Sequence, residues 1–197
     1  MFSLILFPKL EITYRMKKIL FTLIFCGLTF IAKGQNTSIE QSTYGIQSGF
    51  LGVWFHNESK LSEQVALRSE IGLDSGIFGG SYYDGVGFLL TPVITLEPKW
   101  YYNLDKRVSK SKNIDGNSGN FVSIKTSFTP DWFVISNVDN LNILNNISII
   151  PTWGIRRNIG KHFMYEAGFG IGYRYYFSLN EGETAGDLHL RIGYRFR

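Results

Sequence analysis

From residue 43 onward, apolar and polar positions alternate with a period of two, the signature of a β-strand with two unlike faces. In YEAGFGIGYRYYF (165–177), one face carries Tyr165, Ala167, Phe169, Ile171, Tyr173, Tyr175 and Phe177. The other carries Glu166, Gly168, Gly170, Gly172, Arg174 and Tyr176. LSEQVALRSEIGL (61–73) sets Val65, Leu67, Ile71 and Leu73 against Arg68 and Glu70, and GFLLTPVITLEPKWYYN (87–103) sets Leu96 and Trp100 against Glu97 and Lys99. FVSIKTSF (121–128), ISIIPTWGIRR (147–157) and DLHLRIGYRFR (187–197) repeat the pattern, with Lys125, Arg156, Asp187, His189, Arg191 and Arg195 on their polar faces. No segment has a convincing helical period. TYGIQSGFLGVWF (43–55) is less regular. Ile46, Phe50 and Trp54 share a face with Ser48 and Gly52, and a bulge at its apolar end would shift the register.

The breaks between segments are of two kinds. HNES (56–59) and RNIGK (157–161) read as tight hairpin turns. Residues 74–85, 105–120, 136–146 and 178–186 read as long polar loops, with the basic cluster at 106–112 a solvated turn. Pro92, Pro98 and Pro151 are awkward inside a paired sheet. Seven segments are clear. An even strand number requires an eighth, supplied by residues 35–42 or by a division near DWFVIS (131–136). The pattern thus predicts eight antiparallel strands.

A soluble sandwich would also alternate, but these segments are long and their aromatics gather near the ends: Trp54 and Phe55, Trp100 to Tyr102, Phe163, Tyr173 to Phe177, Tyr194 and Phe196. Aromatic girdles with aliphatic residues between them are a mark of strands that cross a bilayer, for which roughly 9–11 tilted residues suffice. The expected fold is therefore all-β: a closed, antiparallel, up-and-down transmembrane β-barrel of eight strands. GFGIG is not a phosphate loop, because its spacing is wrong and no helix follows.

The N-terminus agrees with export. Residues 16–34 (MKKILFTLIFCGLTFIAKG) join a basic start, a fourteen-residue apolar core and the small-residue site Ala32-Lys33-Gly34. That core is too short to span as a helix, which needs roughly 20 residues. Residues 1–34 are read as a cleaved signal peptide with Gln35 the first mature residue. Met16 is read as the true start, against the alternative of a long basic region preceding it. The formal +4 of the whole chain lies in this leader: Lys9, Arg15, Lys17, Lys18 and Lys33 against Glu11 leave fifteen basic and fifteen acidic residues in 35–197. A neutral mature chain gives no argument for nucleic acid. The only cysteine, Cys26, lies in the leader after Phe25, which excludes a lipoprotein site and leaves the mature domain without thiols.

LEPKWYYNLDKR (96–107), NSGNF (117–121), PTWGIRRNIGKHFMYEAGFGIGY (151–173) and the terminal LRIGYRFR resemble small outer-membrane β-barrel proteins of Gram-negative bacteria, of the OmpA/OmpX size class. The resemblance covers nearly all of 35–197 and implies residence in the outer membrane, contact with its lipid, and handling by periplasmic chaperones and the barrel-assembly machinery. Such barrels usually end on an aromatic residue, whereas here Arg197 follows Phe196.

An eight-stranded lumen is narrow enough for side chains to fill. Arg68, Glu70, Glu97, Lys99, Lys125, Arg156, Glu166, Arg174, Asp187, His189, Arg191 and Arg195 are expected to point inward and to pair as an ionic plug. His56 and His162 read as turn residues, and His189 lies beside Asp187 without a serine on its strand. No catalytic set, metal-ligand spacing or cofactor motif is found, so no cofactor and no enzymatic activity are expected. The expected role is structural or interactive, with loops facing outward toward an unspecified ligand; the alternative is a narrow porin or a lipid-handling barrel.

Overall fold

The computed structural model describes residues 37–50, 52–79, 86–139 and 141–196. The leader, Met16 and the cleavage point lie outside these residues. Nine strands are present among those described: β1 (Ser42–Gly49), β2 (Gly52–Lys60), β3 (Val65–Gly79), β4 (Val86–Trp100), β5 (Asn120–Thr129), β6 (Ile135–Ser136), β7 (Asn146–Ile159), β8 (Phe163–Tyr176) and β9 (Glu181–Phe196). A short helix, α1 (Leu104–Val108), and a 3-10 turn (Asp115–Asn117) lie between β4 and β5.

Eight strands form a ring in the order β1-β2-β3-β4-β5-β7-β8-β9, with β9 pairing back to β1, and every neighbouring pair is antiparallel. Two-residue β6 adds to the outer end of β4. The pairing can be followed from Tyr194 through Ile46, Phe55, Ile71, Ile94, Phe128, Ile147 and Tyr175 to Gly182. That circuit leaves β9 at residue 194 and returns at 182, a stagger of twelve residues. A stagger exceeding the strand number means strongly tilted strands and a wider interior than a smaller stagger would give.

The eighth strand does not come from residues 35–42 alone or from 131–136. It arises because 43–55 is two strands: the chain reverses between Gly49 and Gly52, which face each other at the end of the β1–β2 ladder. Gly52 has φ +142°, a value that disfavours any side chain. Consequently HNES is not a turn. His56 to Ser59 lie within β2, and the reversal occurs at residues 61–64. Residues 181–186, expected as loop, are the first part of β9, and β3 continues to Gly79. Pro92 sits in the unbroken β3–β4 ladder, opposite Leu73, whereas the other two prolines each interrupt one ladder. Pairing of β4 with β5 skips Pro98, and pairing of β7 with β8 skips Pro151, since proline has no N–H to give.

One end of the ring is covered. Residues 37–41 and the 101–119 connection lie there, joined by Glu40 N–H to Asn117 Oδ1 (2.9 Å), and Ile39 N–H donates to the Glu63 carbonyl in the β2–β3 turn (3.0 Å). Ile39, Ala66, Tyr101, Leu104 and Phe121 pack together as a small apolar cluster. The 105–120 connection, expected as a long polar loop with a solvated turn at 106–112, is therefore divided. Lys106, Lys110 and Lys112 are exposed, as expected of that turn, whereas Gly116, Asn117 and Ser118 are buried.

Candidate functional site: an ionic interior

Alternation decides what enters the ring. On each strand the residues flanking an inward side chain point outward, so Arg68 and Glu70 enter from β3, Glu97 and Lys99 from β4, Arg156 from β7 and Glu166 from β8. Ten of the twelve sequence-predicted residues meet in this interior: Arg68, Glu70, Glu97, Lys99, Lys125, Arg156, Glu166, Asp187, His189 and Arg191. Two do not. Arg174 sits near one rim, half-exposed, with Glu183 at 3.5 Å. Arg195 lies at the covered end, 2.5 Å from Glu40. Both are on inward-facing positions, but the strands extend past the central cluster at each end.

The centre is built on two carboxylates. Glu166 is 2.5 Å from Arg156, 2.7 Å from Lys99 and 3.3 Å from Arg68. Glu58 is 2.6 Å from Arg156 and 3.7 Å from Arg68, and it accepts hydrogen bonds from Tyr101 Oη (3.0 Å) and Asn117 Nδ2 (2.8 Å). Arg68 also binds Glu70, which pairs with Arg191 at 2.9 Å. Nearer the uncovered end, Lys125 meets Asp187 at 2.7 Å, and Asp187 accepts from His189 Nδ1 at 2.7 Å. Ser123 donates to Glu97 (2.6 Å), whose other oxygen faces Lys99 (3.5 Å). Five cations (Arg68, Lys99, Lys125, Arg156, Arg191) thus face five carboxylates (Glu58, Glu70, Glu97, Glu166, Asp187). Buried ions persist when paired and hydrogen-bonded in this way. Tyr101, in the connection after β4, is held well above the ordinary phenol value by burial, and so stays a donor to Glu58.

The sequence pattern misses Glu58, His56 and Trp54, which are buried inside the ring together with Gln47. It reads His56 and Glu58 as a turn and puts Trp54 on the apolar face, while Gln47 is on the opposite face as expected. Once β2 is started at Gly52, its own alternation places Trp54, His56 and Glu58 inward together. His162, beside the turn as expected, stacks on Tyr194 at 5.2 Å.

Among the described residues, no three His, Cys, Asp or Glu side chains are grouped to hold a metal ion. The His189–Asp187 pair has the geometry of an oriented imidazole, but neither β8 nor β9 carries a serine or cysteine beside it. Asp74, a further inward position on β3, adds a sixth carboxylate that accepts from Trp54 Nε1 (2.6 Å), so the filling of the ring is cross-linked without a one-to-one balance of charge. No family model matches this chain, no curated protein is similar to it, and no solved structure matches it.

Proposed function

We propose that this chain is an integral outer-membrane β-barrel protein with a structural or surface-interaction role, its lumen blocked by the ionic network rather than open to ions. The observation that carries this reading is inverted polarity. Arg68, Lys99 and Arg156 are 0% exposed inside the ring, while Ile171 is 74% and Leu188 75% exposed on its outer face. A protein surrounded by water reverses that order, and an apolar solvent outside accounts for it. Two further features support it. Aromatics gather toward both ends of the outer face, with Phe163, Tyr194, Phe55 and Phe196 in contact toward one end and Phe128, Tyr175 and Phe177 toward the other. Where all eight strands pair, the closed ring satisfies its backbone groups, as crossing a bilayer demands.

The partners on this reading are outer-membrane lipid and the machinery that delivers and inserts barrels. No enzymatic step is assigned. The porin alternative is disfavoured because the charges that would line a pore are engaged with one another.

The test is refolding of residues 35–197 into lipid vesicles. The protein is expected to float with the vesicles, resist alkaline extraction and show negligible conductance in planar bilayers. Failure to float would overturn the membrane reading, and a stable single-channel conductance would overturn the blocked lumen.

A further inference from the structure

The outward positions of β7 are apolar or aromatic from Ile147 to Ile155 and again at Ile159, but Arg157 interrupts them near the covered end. Its guanidinium is fixed in place. Nη1 donates to the carbonyls of Gly119 (2.7 Å) and Arg156 (2.6 Å), and Nη2 donates to Asn120 Oδ1 (2.5 Å). Asn120 pairs with Ile155, so its outward side chain lies between those of Trp153 and Arg157. Its Nδ2 donates to Tyr102 Oη (3.4 Å), which also accepts from Trp153 Nε1 (2.9 Å). Tyr102 Oη thus accepts twice, while its own O–H finds no acceptor among the described residues, and the residue is exposed. One asparagine therefore holds a guanidinium and an unused phenol donor side by side on the outer wall.

Arg107, from α1, stands near enough for its charge to act on Arg157. Its Nε and Nη2 donate to the Asn113 carbonyl (3.2 and 2.7 Å). Arg157 Nε and Arg107 Nη1 make no hydrogen bond among the described residues, and neither atom is buried. Lys106, Lys110, Lys112 and Lys161 are exposed at the same end. The lysines and arginines of the interior all meet a carboxylate, whereas none of these outer cations forms an ion pair among the described residues. The carboxylates of the same connection do not neutralise them: Asp105 accepts from Gln64 Nε2 (3.0 Å), and Asp115 pairs with no cation.

We propose that this cluster binds the headgroup phosphate of an anionic phospholipid, phosphatidylglycerol being the simplest. Arg157 Nε–H, the Arg107 guanidinium and the Tyr102 hydroxyl donate to the phosphate, and the acyl chains run over Trp153 and Val122, both exposed on the outer face. The lysines select the lipid's net charge, because they repel the cation of a zwitterionic headgroup and attract an anionic one. Trp100 and Tyr102, whose rings meet at 6.0 Å, set this level of the wall at the membrane–water boundary, where amphipathic aromatics gather. The inference rests on the membrane reading above.

The test uses residues 35–197 refolded in phosphatidylcholine vesicles with trace spin-labelled phosphatidylglycerol or spin-labelled phosphatidylcholine. Electron paramagnetic resonance reads the motionally restricted fraction of each. The protein is expected to prefer phosphatidylglycerol by roughly fivefold or more, the worth of one basic side chain at an anionic surface, and to lose most of that preference in high salt. Arg157→Gln and Arg107→Gln should each bring the two lipids toward parity, and Tyr102→Phe should lower the preference by a smaller factor. Arg174→Gln, at the opposite rim, should leave it unchanged. All four variants are expected to float; if Arg157→Gln does not, Arg107→Gln and Tyr102→Phe carry the test. Equal restriction of both lipids by floating protein would overturn this inference alone, as would a preference that survives Arg107→Gln and Tyr102→Phe. Protein that does not float fails the membrane reading instead.

Discussion

Glu166 is the residue on which the interior turns, because its carboxylate faces Arg156, Lys99 and Arg68 together. Replacing it by Gln keeps the shape and removes the charge, leaving Arg156 and Lys99 to share Glu58 and Glu97. Breaking a buried pair in this way costs roughly 3–5 kcal/mol, so Glu166→Gln should lower the urea midpoint of vesicle-refolded protein. An unchanged midpoint would mean that the network is hydrated and screened. The opposite face provides the complementary experiment. Ile171 is outward and near the middle of β8. On the membrane reading, Ile171→Arg should cost roughly 2–4 kcal/mol, whereas Val108→Arg, on α1 outside the ring, should cost little. Equal tolerance of both in refolding would contradict a lipid-facing position for Ile171.

At the level of elements, the β1–β2 hairpin sets the strand count. Its reversal depends on Gly52, where φ is +142° and an added Cβ would press on the Leu73 carbonyl and the Asp74 backbone. Gly52→Ala should destabilise by roughly 1–3 kcal/mol. Gly160→Ala, also at positive φ but with nothing within 4 Å, should cost less. A reversed order in equilibrium unfolding would show that the hairpin reversal is not the constrained turn. The hairpin also explains why sequence reading failed here. GFLGVWF offers no polar turn residues, while HNES looks like a turn. In a ring with a polar interior, a polar cluster has two meanings, since strand residues facing inward are as polar as those of a loop. The same ambiguity hid 181–186, which is strand extending beyond the apolar part of the wall.

For the whole molecule, the covered end gathers residues 37–41, the 101–119 connection and the C-terminal end of β9, tied by Arg195 to Glu40 and by Asn117 to Glu58. If cleavage follows Gly34, only two residues precede this anchored segment. N-terminal sequencing of membrane-extracted protein should begin at Gln35, and a start at Met1 or Met16 would refute the leader reading.

The sequence by itself determined the strand class, because alternation of apolar and polar residues is a local property of an extended chain. It also determined the inward face of β3, β4, β5, β7, β8 and β9, since one correctly placed residue fixes the parity of a whole strand. Ten of the interior charges followed from that parity. Only the tertiary structure decided which charges meet. Arg68 and Glu166 stand 98 residues apart, and their contact depends on the twelve-residue stagger that sets how each strand slides against the next. It alone placed Glu58 and His56 inside and covered one end with a connection that reads as a long polar loop. Each of these is set by pairing between distant strands, which no local pattern encodes.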